Sequence, residues 1–324
     1  MGQRANYVII EDGQQIIHYN HWRSTNIAAD LYLGEKRFIQ FVRECREVDV
    51  LMDEVWMEGC VIIDLTGKAL YFWGSEFWFT SAVDLYLMEL KSKWKDWQVE
   101  LLYKGVYDME RILKIDYISK QELHSVPDYT VDEIFDDAAD EWPAATVIIK
   151  TETKLHITQT GKLHYDGLLN FGKDIVKMLL TKPQHELPAE DDDKIFLCLI
   201  IDTIDKKILV DRTEFGVLEQ TAYKWDGYEI EMGDFGYIGA LKRANIDTSK
   251  LVMLPERTRE IFLEMIKQQA SFDSVGMAKR LLREDKEIKF SPDFFDNVTP
   301  KLTIFDKIKS RIKRLLSFRR VTKQ

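Results

Sequence analysis

Cys60-Val61-Ile62-Ile63-Asp64 returns as Cys198-Leu199-Ile200-Ile201-Asp202, 138 positions later. At the same shift Lys68 meets Lys206, Leu70 meets Ile208, and Glu76-Phe77 meets Glu214-Phe215. Towards the N-terminus, Gly34 meets Gly172 and His18 meets His156. Val8-Ile9-Ile10 matches Val147-Ile148-Ile149 at a shift of 139. Lys93 to Asp96 then corresponds to Tyr223 to Asp226, and at a shift of 131 Glu100 meets Glu231 and Gly105 meets Gly236. A register this constant over several segments predicts two copies of one structural unit.

Local patterning supplies the content of that unit. Tyr7 to Ile10 and Gln15 to Trp22 are apolar, β-prone runs joined by Asp12-Gly13, a hairpin signal. Leu31 to Val42 has helical spacing of apolar residues, starting from Ser24 or Gly34. Cys60 to Asp64 and Lys68 to Trp73 make a second hairpin across Leu65-Thr66-Gly67. Ser81 to Trp94 reads as a helix and Trp97 to Tyr103 as a strand. The second copy repeats the order. Adjacent hairpins predict an α+β fold: two pseudo-repeats of antiparallel β-hairpins, with helices covering one face and a helical C-terminal extension.

The expected partition is residues 1–115 for the first repeat, 116–145 for an acidic connector, 146–246 for the second repeat and 247–324 for the extension. Within the connector, Thr130 and Glu133 form a capping box. The helix it starts carries Asp132, Asp136 and Asp137. Glu186 to Asp193, with Asp191, Asp192 and Asp193, reads as a second acidic, solvated loop. Pro255 to Ala270 is helical in pattern, Phe290 to Asn297 is irregular, and Thr299-Pro300 opens a last amphipathic helix.

The chain of 324 residues is 45% apolar and 12% aromatic, which excludes global disorder. Its net charge of −10 is unevenly spread. Residues 306–324 hold eight Lys or Arg, among them Lys309, Lys313 and Arg314, against Asp306; this net +7 leaves −17 for the remainder. Such a body repels nucleic acid and attracts basic proteins. The tail has three readings: docking on the acidic body, lying on an anionic membrane, or binding nucleic-acid phosphates through residues 299–323. Three cysteines, no two spaced as metal ligands, predict free thiols. No signal peptide and no membrane-length apolar run is seen, so a cytoplasmic location is expected. Met1-Gly2 lacks the Ser or Thr at position 6 that myristoylation needs.

Chemistry-bearing residues are sparse. Arg4, His21 and Trp22 flank the first hairpin and have no counterpart in the second copy; Arg holds carboxylates or phosphates, and His moves protons. Glu76, matched by Glu214, is a further catalytic candidate, as paired carboxylates do acid–base work. Asp64 and Asp202 fit better as strand-end residues accepting turn amides. His18 and His21 point to opposite faces of a strand and so do not form a metal pair. Gly233-Asp234-Phe235-Gly236-Tyr237-Ile238-Gly239 is not a phosphate loop and reads as a strand end and tight turn. No Gly-x-Ser-x-Gly elbow occurs. No cofactor and no metal is expected.

Gly2-Gln3-Arg4-Ala5-Asn6 followed by Tyr19-x-His21-Trp22 resembles the opening of a group of uncharacterised bacterial proteins. The resemblance spans about the first forty residues. It implies a bacterial source and brings no activity with it.

The expected function is therefore a non-catalytic acidic binding protein, such as an immunity protein or antitoxin neutralising a basic partner. Asp132, Asp136, Asp137 and Asp191 to Asp193 would form its charged surface. The alternatives are an enzyme with its site around Arg4, His21 and Trp22, and a peripheral membrane or nucleic-acid protein acting through the basic tail. Nothing in the sequence sets the oligomeric state.

Overall fold

The computed structural model describes residues 3–74, 79–126, 128, 130, 145–160, 165–191, 197–211, 213 and 215–271. The fold is α+β, with two mixed sheets. The first half runs β1 (Ala5–Glu11), β2 (Gln14–Asn20), α1 (Ile27–Leu31), α2 (Glu35–Glu44), β3 (Arg46–Val48), β4 (Gly59–Asp64), β5 (Ala69–Gly74), α3 (Thr80–Lys93), β6 (Gln98–Leu101) and α4 (Val106–Leu113). The second runs β7 (Ala145–Lys150), β8 (Leu155–Thr160), α5 (Tyr165–Phe171), α6 (Ile175–Leu179), β9 (Leu197–Asp202), β10 (Lys207–Val210), α7 (Val217–Thr221), β11 (Glu229–Met232), α8 (Gly236–Arg243) and α9 (Pro255–Ser271).

The first sheet has the order β3-β2-β1-β4-β5-β6, and the second β8-β7-β9-β10-β11. Hairpins β1–β2, β4–β5, β7–β8 and β9–β10 are antiparallel. They join through parallel pairs: β1 with β4, β5 with β6, β7 with β9, and β10 with β11. Each hairpin is antiparallel as expected, but the sheets that they build are mixed. The helices between hairpins act as crossovers, returning the chain to the same end of the sheet so that neighbouring hairpins abut in parallel.

Helices on one face only is also corrected. Tyr7, Ile9, Val61, Ile63, Leu70 and Phe72 point to one face of the first sheet, against Leu31, Phe38, Tyr86 and Leu90. Val8, Cys60 and Ile62 point to the other, against Val106, Met109 and Leu113 of α4. The second sheet is covered likewise, by Leu168, Leu169 and Ile175 on one face and by Ile238, Ala240 and Leu241 of α8 on the other. Burial on both faces is why Cys60 to Ile63 is apolar throughout rather than alternating. Each such Ile, Leu or Phe is worth roughly 1.5–3 kcal/mol of transfer free energy.

Several elements differ from the sequence reading. Gly233 to Gly239 is not a strand end and turn alone, because helix α8 starts at Gly236. Helix α4, absent from the sequence reading, carries Val106, Met109 and Leu113 at helical spacing, whereas the edge strand β3, three residues long, is too short to show a period. Gly34, at φ +88°, separates α1 from α2, so the helix expected over Leu31 to Val42 begins after it. The loop before β9 is not wholly solvated: Asp191 is exposed, yet Glu190 is 3% exposed. Its carboxylate accepts Ser81 N–H (2.7 Å), Ser81 Oγ–H (2.5 Å) and Met253 N–H (3.2 Å). Helix α9, expected in a separate extension, packs Phe262 into the core of the first sheet, edge-on to Tyr32. The connector helix with Asp132, Asp136 and Asp137, and the basic tail with Lys309, Lys313 and Arg314, lie outside the described residues.

Hydrogen bonds recur at matching places in the two halves. Trp94 Nε1–H donates to Leu31 O and Trp225 Nε1–H to Leu169 O, each at 2.9 Å. Gln98 N–H donates to Lys68 O, and Glu229 N–H to Lys206 O. Asp64 accepts the Gly67 amide, as Asp202 accepts those of Ile204 and Asp205. Both aspartates thus hold their turns.

Candidate functional site: the base of the first hairpin and the seam cleft

Arg4 and His21 flank the Ala5–Asn20 pair that closes the β1–β2 hairpin. The backbone ties this end down: Gln3 N–H donates to His21 O, and Ser24 N–H to Gln3 O. Arg4 exchanges bonds with Glu58, its N–H to Glu58 Oε2 (2.6 Å) and its O from Glu58 N–H (3.0 Å). The Arg4 guanidinium sits 4.4 Å from the ring centroid of Trp56, a cation–π contact. Asp53 caps the one-turn helix Glu54–Trp56 and so places that ring.

Between Arg4 and His21 stands Tyr19, whose hydroxyl is 2.6 Å from His21 Nδ1. Burial raises the Tyr19 hydroxyl above its ordinary range, although Arg4, bonded to it, pulls the other way. Burial, and then the charge of Arg4, lower the His21 imidazolium. Tyr19 therefore keeps its proton and the His21 ring is held towards its neutral form; the tautomer of that ring sets which of the two donates. His21 also lies against Trp22, ring centroids 4.8 Å apart. The structure thus brings Arg4, His21 and Trp22 together, with Tyr19 as the link. Their polar groups largely satisfy one another, which fixes the hairpin base.

Glu58 leads from this cluster into a cleft of about 320 Å³ at the seam between the halves. Trp73 and Gly74 from β5, Leu102 to Gly105 after β6, and Val106 and Tyr107 of α4 form one wall. Thr213, Phe215 and Met232 to Asp234 form the other. Tyr107 and Phe215 lie 5.7 Å apart across the seam. Burial and the Glu219 carboxylate, which accepts the Tyr107 hydroxyl at 2.6 Å, push that phenol well up. Glu54, Glu58 and Asp234 line the space with Lys104 and His124. His124 Nε2 is 3.4 Å from Glu54 Oε2. Trp73 Nε1–H is buried without a hydrogen-bond partner.

Of the other expected site residues, Asp191 is on the surface loop beside Glu190, away from this cleft's lining. Glu76, Asp192 and Asp193 lie outside the described residues. Sequence reasoning missed Tyr19, Glu58, Trp73, Tyr107 and Asp234. The usable signal was divergence between the copies: Trp73 stands opposite Asp211 at the shift of 138, and Lys104 opposite Phe235 at 131.

The thiols are not part of this chemistry. Burial pushes Cys60 to about 12 and Cys45 to about 11, and Cys198 well up. Among the described residues no group of three or more His, Cys, Asp or Glu is placed to hold a metal ion. No helix among them is long and apolar enough to cross a membrane. No protein-family model, curated protein or solved structure matches this chain.

Proposed function

We propose that this chain is a non-catalytic binding protein that recognises a partner with a basic surface, in the manner of a bacterial, cytoplasmic immunity protein or antitoxin. The observation that carries the reading is the seam cleft, where, among the described residues, Glu54, Glu58 and Asp234 share an aromatic-lined space with Lys104 and His124. A net charge of −17 outside residues 306–324 supports it, because a field of one sign steers an oppositely charged partner. The basic segment after Thr299 fits the same reading as an amphipathic helix docked on the acidic body.

Two copies of one unit, arisen by internal duplication, are the architecture we propose for this binder. The matching strand orders, the paired Trp94–Leu31 and Trp225–Leu169 bonds, and the paired turn aspartates support it.

The test starts from the partner recovered by affinity purification from the source cell. Charge reversal at Asp132, Asp136, Asp137 and Asp191 to Asp193 is expected to slow its association several-fold at low salt. The effect should fade as ionic strength approaches about 1 M, where the Debye length is about 3 Å. An association rate that ignores both the substitutions and the salt would remove the steering role.

A further inference from the structure

The seam has two sides, and they differ. On one side lies the open cleft of about 320 Å³; on the other, the space bounded by Thr80, Tyr103 and Phe235 holds about 20 Å³. Phe235 fills that second side, packed on Tyr103 with ring centroids 5.6 Å apart and lying 3.9 Å beneath the Arg243 guanidinium. At the shift of 131, Phe235 corresponds to Lys104, which lines the open cleft. The open cleft is at the small end of the roughly 300–1,000 Å³ range of ligand sites, room for one long side chain rather than a folded surface.

Its lining fits one chemistry closely. Trp73, Tyr103, Tyr107 and Phe215 offer ring faces, and Glu58, Asp234 and Glu54 offer carboxylates. A planar cation that stacks on rings and bonds carboxylates in a fork is a guanidinium. We propose that the cleft takes an arginine side chain of the partner, its guanidinium beside Glu58 and Asp234. This rests on the basic-partner reading above and names the group that reading leaves open.

The test uses the full chain and two probes, Nα-acetyl-L-arginine methylamide and the citrulline methylamide of the same shape without the charge. Titration followed by tryptophan fluorescence and by calorimetry is expected to show saturable, millimolar binding of the arginine probe. The citrulline probe should bind at least about tenfold more weakly, since it brings no positive charge to the carboxylates. Glu58→Gln, and separately Asp234→Asn, should each weaken the arginine probe several-fold and the citrulline probe much less, narrowing the difference between them. Should either variant fail to fold, the two probes on the unaltered protein still decide. Equal binding of both probes, or no saturable binding of either, overturns the proposal. If the arginine probe fails while the charge reversals still slow the partner, the cleft assignment falls and the basic-partner reading stands.

Discussion

Asp30 shows how far a single side chain is set by its surroundings. It lies in α1, 5% exposed, and pairs with Arg23 through both carboxylate oxygens. Burial raises its pKa from 3.8 to about 6, with the Arg23 charge opposing the shift. The folded protein therefore holds this proton more tightly than the unfolded chain. Stability contributed by that proton is complete below about pH 4 and is lost as pH rises through about 6. The loss attributable to this one group is of order 3 kcal/mol. Urea titrations at a series of pH values should show this slope, and Asp30→Asn should flatten it between pH 4 and 6. A wild-type slope that persists in the variant would assign it to other carboxylates.

At the scale of elements, two glycines end comparable helices and should respond differently to the same change. Gly34 precedes α2 at φ +88°, and an added Cβ would come no nearer than 3.9 Å, to Lys93 O. Gly172 follows α5 at φ +68°, and its Cβ would come within 2.5 Å of Lys224 O. Both substitutions to alanine meet a positive-φ penalty of roughly 1–3 kcal/mol. Gly172→Ala also collides with backbone, which cannot move aside without shifting Trp225, so its cost should reach roughly 3 kcal/mol or more. Equilibrium unfolding of the two variants should rank them in that order. Equal costs would mean that the chain around Lys224 relaxes freely.

The whole molecule is held at its seam by contacts between distant parts of the chain. Glu190 binds the start of α3 and the loop before α9 together. Thr80 Oγ1 accepts Gly239 N–H, Asp234 N–H donates to Tyr103 O, and Tyr107 donates to Glu219. Phe262 carries the last described helix back into the first sheet's core. These ties predict one cooperative unfolding step, with tryptophan fluorescence and far-UV circular dichroism transitions coinciding. Glu190→Ala strands one buried donor, Met253 N–H, and two part-buried ones on Ser81, and should cost about 1–3 kcal/mol, with Glu190→Gln milder. Two separated transitions in the unaltered protein would mean that the halves unfold independently across this seam.

What the sequence determined by itself is local. Asp12-Gly13 dictates its hairpin because both residues accept positive φ, +50° and +79° here, as a tight turn between twisted strands demands. The apolar spacing of α2 and α3, and the strand-end roles of Asp64 and Asp202, were likewise readable within a few residues of each. The unbroken apolar run Cys60 to Ile63 already held the signal for a strand buried on both faces, but the adjacent hairpin outweighed it. Only the tertiary structure decided that hairpins meet in parallel, that Arg4 and His21 join through Tyr19, and that a cleft opens at the seam. Ser81 and Glu190 are 109 residues apart, and Tyr107 and Glu219 are 112 apart. No local propensity encodes such a contact, because it forms only when both halves have already folded and their edges exclude water together.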